Sequence, residues 1–253
     1  MKTDAVRLYL ELMKNVLTNT IYEDPPLQVF GDAPGEATYD GNARQDGRDW
    51  PAVAHTMVGM RRLDNLQFCV ESVLADGVPG DLIETGVWRG GASIFARAVL
   101  AAHEVTDRLV WVADSFQGMP SPTESSRPSD RHVNLSLSND VLAVSLEEVR
   151  SNFAKYGLLD ERVRFLPGWF GETLPAAPVE RLAVLRLDGD MYESTMDGLV
   201  HLYPKLSPGG YVIVDDYLLL GCREAVEEFR GGNGITDPIK DIDGCAAYWR
   251  RGA

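Results

Sequence analysis

Acidic side chains stand at the ends of four of the five main strands that the sequence predicts, and these acids are the residues best suited to chemistry. In chain order they are Glu84, Asp114, Asp188 with Asp190, and Asp215 with Asp216. In open α/β sheets the ligand binds beyond the carboxyl ends of the strands. A set of acids at these ends therefore indicates a binding site, although a helix cap could explain any one of them.

Asp188, Asp215 and Asp216 are the candidate metal ligands. Three carboxylates that converge at neighbouring strand ends repel one another unless a cation joins them, and hard oxygen donors of this kind suit Mg²⁺. The alternative is that Asp215 and Asp216 diverge, one exposed and the other capping the next helix. Asp190 shares a face with Asp188 in extended chain, so it is either a candidate general base for a hydroxyl or a simple turn residue.

The loop after the first strand can bring its backbone close to a ligand. It reads Glu84-Thr-Gly-Val-Trp-Arg-Gly-Gly91 and leads into a helical run, which is typical of a strand that feeds a helix through a glycine turn. Trp88 stands where a dinucleotide-binding motif needs its second glycine, so a pyrophosphate could not come as near. The pattern favours a nucleoside without phosphates, of which S-adenosylmethionine (SAM) is the common one.

Further residues near these strand ends are candidate SAM ligands. Asp114 could accept both ribose hydroxyls, while Glu84 and Gly86 would face the methionine part. Trp169 is either a platform for adenine or a core aromatic. The complete predicted cofactor site consists of Glu84, Thr85, Gly86, Trp88, Gly91, Ser93, Asp114, Ser115, Phe116, Gln117, Trp169 and Asp188.

The elements that must position these residues alternate between strand and helix. Apolar runs predict strands at 82–85, 109–113, 163–166, 182–187 and 211–214, with helical runs between them and a hairpin at 239–242 and 246–250. Strands this apolar are buried on both faces, so they predict a doubly wound, mostly parallel α/β sheet. This is the Rossmann-like architecture of class I SAM methyltransferases, here with an antiparallel C-terminal hairpin at the sheet edge.

The N-terminal part is predicted to be an extension of that sheet domain. Residues 1–78 contain helical patterns at 4–18 and 56–74, and residues 79–253 form the methyltransferase domain of a single compact unit. The stretches 22–52 and 117–143 are rich in glycine, proline and polar residues. Long irregular segments in a compact domain are often functional lids, and we expect that role here.

Composition excludes several classes of partner. The formal net charge is −14, which argues against binding to nucleic acid or to an anionic membrane surface. Three scattered cysteines predict neither a disulfide framework nor a zinc site. With no apolar run long enough to span a membrane and no signal-peptide pattern, a cytoplasmic protein with reduced thiols is expected.

Several motifs along nearly the whole chain resemble the macrocin O-methyltransferase family, the metal-dependent sugar methyltransferases of antibiotic biosynthesis. The matching stretches are Ala54-His-Thr-Met57, the glycine loop at 84–91, Trp111-Val-Ala-Asp-Ser-Phe-Gln-Gly118, Tyr156-Gly-Leu-Leu159, Phe165-Leu-Pro-Gly-Trp-Phe170, Leu185-Arg-Leu-Asp-Gly-Asp190, Leu206-Ser-Pro-Gly-Gly210 and Asp215-Asp-Tyr217. Met191 departs from the serine that usually follows Asp-Gly-Asp. The two predicted lids match less well, so the substrate stays open.

The resemblance implies a function and a mechanism. Asp188, Asp215 and Asp216 would bind Mg²⁺, and Asp190 would be the base. We hypothesise that Mg²⁺ binds a sugar hydroxyl and lowers its pKa, that Asp190 takes the proton, and that the oxygen attacks the SAM methyl group. The partner would be a small-molecule glycoside, and the protein a homo-oligomer.

Three other functions stay open at this stage. A catechol-type methyltransferase would use the same metal and a lysine base just past the fourth strand, where the nearest lysine is Lys205. An NAD-dependent oxidoreductase is disfavoured by Trp88. A SAM-binding protein without catalysis would have no need of Asp190.

Overall fold

The computed structural model describes residues 2–27 and 38–252. Within them the chain forms one sheet of seven strands in the order β3-β2-β1-β4-β5-β7-β6. The strands are β1 (Asp81–Thr85), β2 (Val110–Asp114), β3 (Val163–Pro167), β4 (Leu182–Leu187), β5 (Leu206–Val214), β6 (Lys240–Asp241) and β7 (Ala247–Arg250). The first five are parallel, and the C-terminal hairpin adds β7 antiparallel to β5 and β6 antiparallel to β7. The predicted fold class is confirmed.

Helices cover both faces of this sheet. They are α1 (Lys2–Leu17), α2 (Gly41–Gln45), α3 (Met60–Ala75), α4 (Gly91–Ala102), α5 (Pro128–His132), α6 (Asn139–Leu142), α7 (Leu146–Lys155), α8 (Phe170–Thr173), α9 (Tyr192–Leu202) and α10 (Leu220–Gly232). One apolar core joins the sheet to α1, α3, α4 and α7, and a second joins its other face to α9 and α10. Burial on both faces explains why β4 is apolar at all positions except Arg186.

The strand register brings the chemistry-bearing residues to one edge. Thr85 lies opposite Leu187 of β4, and Leu187 lies opposite Val214 of β5. Because these strands are parallel and in step, the residues that follow them emerge side by side. Gly86, Asp188 and Asp215 are therefore neighbours in space despite their distance in sequence.

The larger differences from the predicted boundaries are at four places. The segments 22–52 and 117–143 contain short helices, α2 in the first and α5 and α6 in the second, and residues 28–37 of the first lie outside the described part. Strand β5 begins before its predicted start because a bulge lets residues 207–210 continue beside β4. Helix α3 begins later than predicted because residues 54–59 first run past the end of α1, where His55 donates its backbone N–H to the Leu17 carbonyl.

The N-terminal helices pack on the sheet domain. Helices α1 and α3 both contact α4, and their apolar residues belong to the same core as those of the sheet. The division at residue 78 stays a prediction. In the described part of the chain, no helix has the length and apolar character that crossing a bilayer requires.

Arg44 of α2 ties the N-terminal segments together. Its side chain is 1 % exposed, and its guanidinium pairs with the carboxylates of Asp24 at 2.7 Å and Asp49 at 2.8 Å. It also donates to the backbone carbonyl of Thr18, while Asp24 accepts the backbone N–H of Val53. One buried cation thus joins the end of α1, α2 and the chain before α3.

Replacement of this cation should destabilise the protein. We expect Arg44→Met to lower the free energy of unfolding by about 3 kcal/mol or more, because it leaves two largely buried carboxylates without their partner. The matched change at an exposed ion pair, Arg48→Met, should cost less than about 1 kcal/mol. Urea denaturation measures both, and equal losses would show that Arg44 contributes no more than a surface pair.

Candidate active site

Three carboxylates converge beyond the ends of β4 and β5. Asp188, Asp215 and Asp216 each contribute an oxygen, and these oxygens lie within 4.8 Å of one another. The alternative, in which the side chains of Asp215 and Asp216 point away from each other, is therefore wrong. The cluster arises because β4 and β5 are adjacent parallel strands whose last residues are in register.

Two arginines that the sequence analysis did not single out bind this cluster. Arg186 of β4 is 3 % exposed and donates to Glu84 Oε1 at 2.5 Å, to Asp188 Oδ2 at 2.6 Å and to Asp215 Oδ1. Arg62 of α3 donates to Asp215 Oδ2 at 2.6 Å. Asp215 is thus held through both oxygens, and its orientation is set before any ligand binds.

The signal for Arg186 was present in the sequence. A lone arginine inside an otherwise apolar strand must find buried partners, because an unpaired charge is costly in a protein interior. The signal for Arg62 was weaker, since a cation in the first turn of an amphipathic helix is usually solvated. Its partner Asp243, at 2.7 Å, comes from the C-terminal hairpin.

The donor set suits a divalent cation. Arg186 and Arg62 are two cations shared among the carboxylates of Glu84, Asp188, Asp215 and Asp243. The nearby carboxylates of Asp190 and Asp216 add further negative charge. Burial and mutual repulsion raise the pKa of the Asp188 and Asp216 carboxyls. Mg²⁺ prefers oxygen ligands such as carboxylates, and a bound cation would relieve the repulsion between these carboxylates. The residues present therefore fit the predicted ion.

Asp190 lies beside this cluster. Its backbone N–H donates to Asp216 Oδ2 at 3.0 Å, and its φ of 59° places it in the left-handed region. Burial, followed by repulsion from Asp188 and Asp215, raises the pKa of its carboxyl to about 7. A carboxylate with a pKa near neutrality is well matched to proton transfer.

Two cavities meet at the ends of β1, β2 and β4. The acidic cavity, of about 310 Å³, contains the carboxylate cluster and Asp190. The Trp169 cavity, of about 270 Å³, extends between Trp169 and the start of α9. Both are lined by Gly86, Asp114, Gly118, Met119 and Asp188. A ligand with two chemically different ends can therefore occupy both.

Half of the predicted cofactor residues line these cavities, namely Gly86, Trp88, Asp114, Ser115, Trp169 and Asp188. The Asp114 carboxylate accepts the backbone N–H groups of Val87 and Phe116, each at 2.7 Å, and burial raises its pKa. The Ser115 hydroxyl also lies 3.5 Å from Asp114 Oδ1, so the backbone and this hydroxyl already hold the carboxylate at the cavity wall. The roles of these cofactor residues in binding SAM stay predictions.

The other predicted cofactor residues lie beneath or beside the cavities. Thr85, Gly91 and Ser93 are buried, and Ser93 donates to Glu84. Glu84 is 5 % exposed and pairs with Arg186, so it lines neither the acidic cavity nor the Trp169 cavity. The last two predicted cofactor residues are Phe116, which packs near Phe165, and Gln117, whose backbone N–H donates to the Ser115 hydroxyl.

Residues from the two predicted lids complete the walls. From the segment 22–52, Gly47, Asp49 and Trp50 line the acidic cavity, as does Met57 shortly after that segment. From the segment 117–143, Leu135 and Leu142 line the same cavity, and the Val141 carbonyl accepts the indole N–H of Trp88 at 3.0 Å. Asp197 of α9, also missed by the sequence analysis, lines the Trp169 cavity.

Comparison with known proteins identifies the family. The sequence model for the macrocin O-methyltransferase family (TylF) matches residues 6–251. The chain belongs to the macrocin O-methyltransferase family. The resemblance seen in the motifs is therefore confirmed, and the protein is a SAM-dependent O-methyltransferase.

This chain is closely similar in sequence to individual members of the macrocin O-methyltransferase family. The chain is 62 % identical over 257 residues to 8-demethyl-8-(2,3-dimethoxy-alpha-L-rhamnosyl)-tetracenomycin-C 4'-O-methyltransferase of Streptomyces olivaceus, with 100 % of this chain and 96 % of that protein covered. It is 58 % identical over 251 residues to mycinamicin III 3''-O-methyltransferase of Micromonospora griseorubida, with 98 % of each covered. The solved structure of the O-methyltransferase NovP superposes with a TM-score of 0.94 at 56 % identity, covering 98 % of this chain and 100 % of that one.

Proposed function

We propose that the protein transfers the methyl group of SAM to a hydroxyl of a deoxysugar carried by an antibiotic glycoside, and that the reaction requires Mg²⁺. The observation that carries the proposal is the convergence of Asp188, Asp215 and Asp216 beside Asp190, in a cavity that adjoins a second, aromatic one. Relatives whose names describe methylation of sugars on antibiotics support the choice of substrate.

The two cavities suggest how the cofactor lies. Adenosine would occupy the Trp169 cavity, with its ribose hydroxyls on the carboxylate of Asp114. The methionine part would run past Gly86, which lines both cavities. This arrangement puts the sulfonium at the junction with the acidic cavity, where nearby carboxylates stabilise its positive charge.

The acidic cavity would hold the acceptor. Asp188, Asp215 and Asp216 would bind Mg²⁺, which supplies the polarisation that makes a sugar hydroxyl acidic enough to react. Arg186 and Arg62 keep Asp215 in place, and Asp190 accepts the hydroxyl proton. The oxygen forms its bond to the methyl carbon as the carbon–sulfur bond breaks, so S-adenosylhomocysteine (SAH) leaves and the proton remains on Asp190.

The alternatives find less support in the geometry. Lys205, the lysine that a catechol-type reaction would need, lies just before β5 and donates to the carbonyl of Ala177 at 3.2 Å. That position is at the opposite end of the sheet from the acidic cavity. The obstacle to an NAD-dependent oxidoreductase is Trp88, which stands in the glycine loop and donates its indole N–H to the segment 117–143. A pyrophosphate would not come close to the backbone there.

Removal of divalent metal tests the proposal. With SAM and the α-L-rhamnoside of a tetracyclic aromatic aglycone, EDTA should lower the rate of SAH formation by about 100-fold or more, and excess Mg²⁺ should restore it, because the hydroxyl loses its polarising cation. Asp216→Asn should raise the Mg²⁺ concentration that gives half-maximal rate. Full activity in EDTA, or faster methylation of a catechol than of the glycoside, would contradict the proposed function.

A further inference from the structure

We propose that Asp130 is a positioning residue for the reaction: its carboxylate caps the start of α9 and so fixes the backbone that presents Asp190. The inference rests on the proposed function, in which Asp190 accepts the hydroxyl proton. Asp130 belongs to α5 in the segment 117–143, and it lines neither the acidic cavity nor the Trp169 cavity. Any effect of Asp130 on the reaction must therefore pass through another residue.

Helix α9 begins without a cap of its own. Its N-cap residue is Met191, which directly follows Asp190 and whose side chain has no oxygen to accept a hydrogen bond. The first backbone N–H groups of a helix have no partner within the helix. Here the partner is the Asp130 carboxylate, because the Tyr192 N–H donates to its Oδ1 at 3.0 Å and to its Oδ2 at 3.2 Å.

The structure around the Asp130 carboxylate leaves room for it and little else. Asp130 is 4 % exposed, and burial raises the pKa of its carboxyl, whereas hydrogen bonds from the backbone of Tyr192 and Glu193 lower it. A Cβ added at Gly221, in the first turn of α10, would overlap Oδ1 of Asp130. Glycine at position 221 therefore makes the space that the carboxylate occupies.

Asp190 needs this support because of its backbone conformation. Its φ of 59° lies in the left-handed region, which a residue with a side chain keeps only where its surroundings enforce it. On one side, its backbone N–H donates to Asp216 Oδ2 at 3.0 Å. On the other side, Asp130 holds the peptide group of Tyr192. Without that second contact the turn can relax, and a misplacement of about 1 Å can cost about 100-fold in rate.

The alternative is that Asp130 only attaches its segment to the rest of the protein. Other residues of α5 and its N-terminal flank do so, since Ser129 donates to Glu224 Oε2 at 2.9 Å and the Arg127 guanidinium stacks on the Tyr192 ring. Ser129 is buried like Asp130, but its partner belongs to α10 and not to the start of α9. Ser129→Ala is therefore the matched control, because it weakens the attachment of α5 and leaves the cap in place.

Asp130→Ala should lower the single-turnover rate of methyl transfer about 30-fold at saturating SAM, Mg²⁺ and the α-L-rhamnoside of a tetracyclic aromatic aglycone. Its affinity for SAH should change less than about threefold, because the lost contact acts on the chemical step. Asp130→Asn should stay within about threefold of the original rate, since asparagine caps a helix about as well as aspartate. Gly221→Ala should repeat the loss, because its methyl group displaces the same carboxylate, whereas Ser129→Ala should leave the rate unchanged.

The decisive measurement combines Asp130→Ala with Asp190→Asn, with methyl transfer followed from tritium-labelled SAM. If Asp130 acts through Asp190, the double variant should be as slow as Asp190→Asn alone, because a base that is absent cannot be misplaced. Losses that multiply, or an equal loss in Ser129→Ala, would show a structural role and overturn the inference while leaving the proposed function intact. Failure of the unmodified protein to methylate the glycoside would overturn both.

Discussion

Asp190→Asn should lower the rate of methyl transfer by about 1000-fold while SAH still binds within a few-fold of its original affinity. The expected loss follows from removal of the group that accepts the hydroxyl proton, because a positioned general base contributes about 100- to 10,000-fold. The substitution keeps the size of the side chain and the backbone N–H that donates to Asp216. Single-turnover kinetics measure the rate, and calorimetry with SAH measures the affinity.

The control for this prediction is Asp140→Asn, which removes an exposed carboxylate of α6 outside both cavities. It should leave the rate and the affinity unchanged. If Asp190→Asn retains more than about a tenth of the activity, Asp190 is not the base. If the variant loses SAH binding as well, its role is in the binding of the cofactor.

Gly86→Ala should prevent normal folding at the junction of the two cavities. A Cβ at this position would lie 1.6 Å from the backbone carbonyl oxygen of Asp188, and the residue has a φ of +85°. Backbone must shift to relieve that overlap, so the expected cost is about 3 kcal/mol or more, with loss of SAH binding. Thermal unfolding and calorimetry with SAH measure the two effects.

Gly77→Ala separates the overlap from backbone strain. Gly77 has a φ of +63°, and nothing lies within 4 Å of a Cβ built there. The variant should lose only about 1 kcal/mol and keep its affinity for SAH. Similar losses in the two variants would show that strain at positive φ, and not contact with Asp188, makes glycine necessary at position 86.

The sheet could be predicted from the sequence because its strands are apolar runs that end in acids or glycines. The predicted strand 182–187 has the same bounds as β4. The hairpin after β5 was also predicted, from the turn at 243–244. The errors fell where local pattern competes with tertiary contacts. Residues 56–59 read as helix, yet backbone packing between Gly59 and Gly47, where a Cβ would lie 2.4 Å from the Gly47 nitrogen, keeps this stretch out of α3.

The site was predictable to the extent that it depends on strand ends. Once β4 and β5 are adjacent, Asp188, Asp215 and Asp216 must emerge together. Which side of each strand a residue faces was harder to predict. Glu84 belongs to β1 and points into the interior toward Arg186 and Ser93, whereas Asp114 ends β2 and reaches the cavities.

The sequence by itself determined the succession of strands and helices along the chain, the family, and the acids at the strand ends. These depend on local pattern and motif. Only the tertiary structure showed that Arg62 and Arg186 hold Asp215, and that leucines from two distant segments share a cavity with the acids. The physical reason is that burial and ion pairing depend on distances between residues far apart in the chain, and no local pattern encodes those distances.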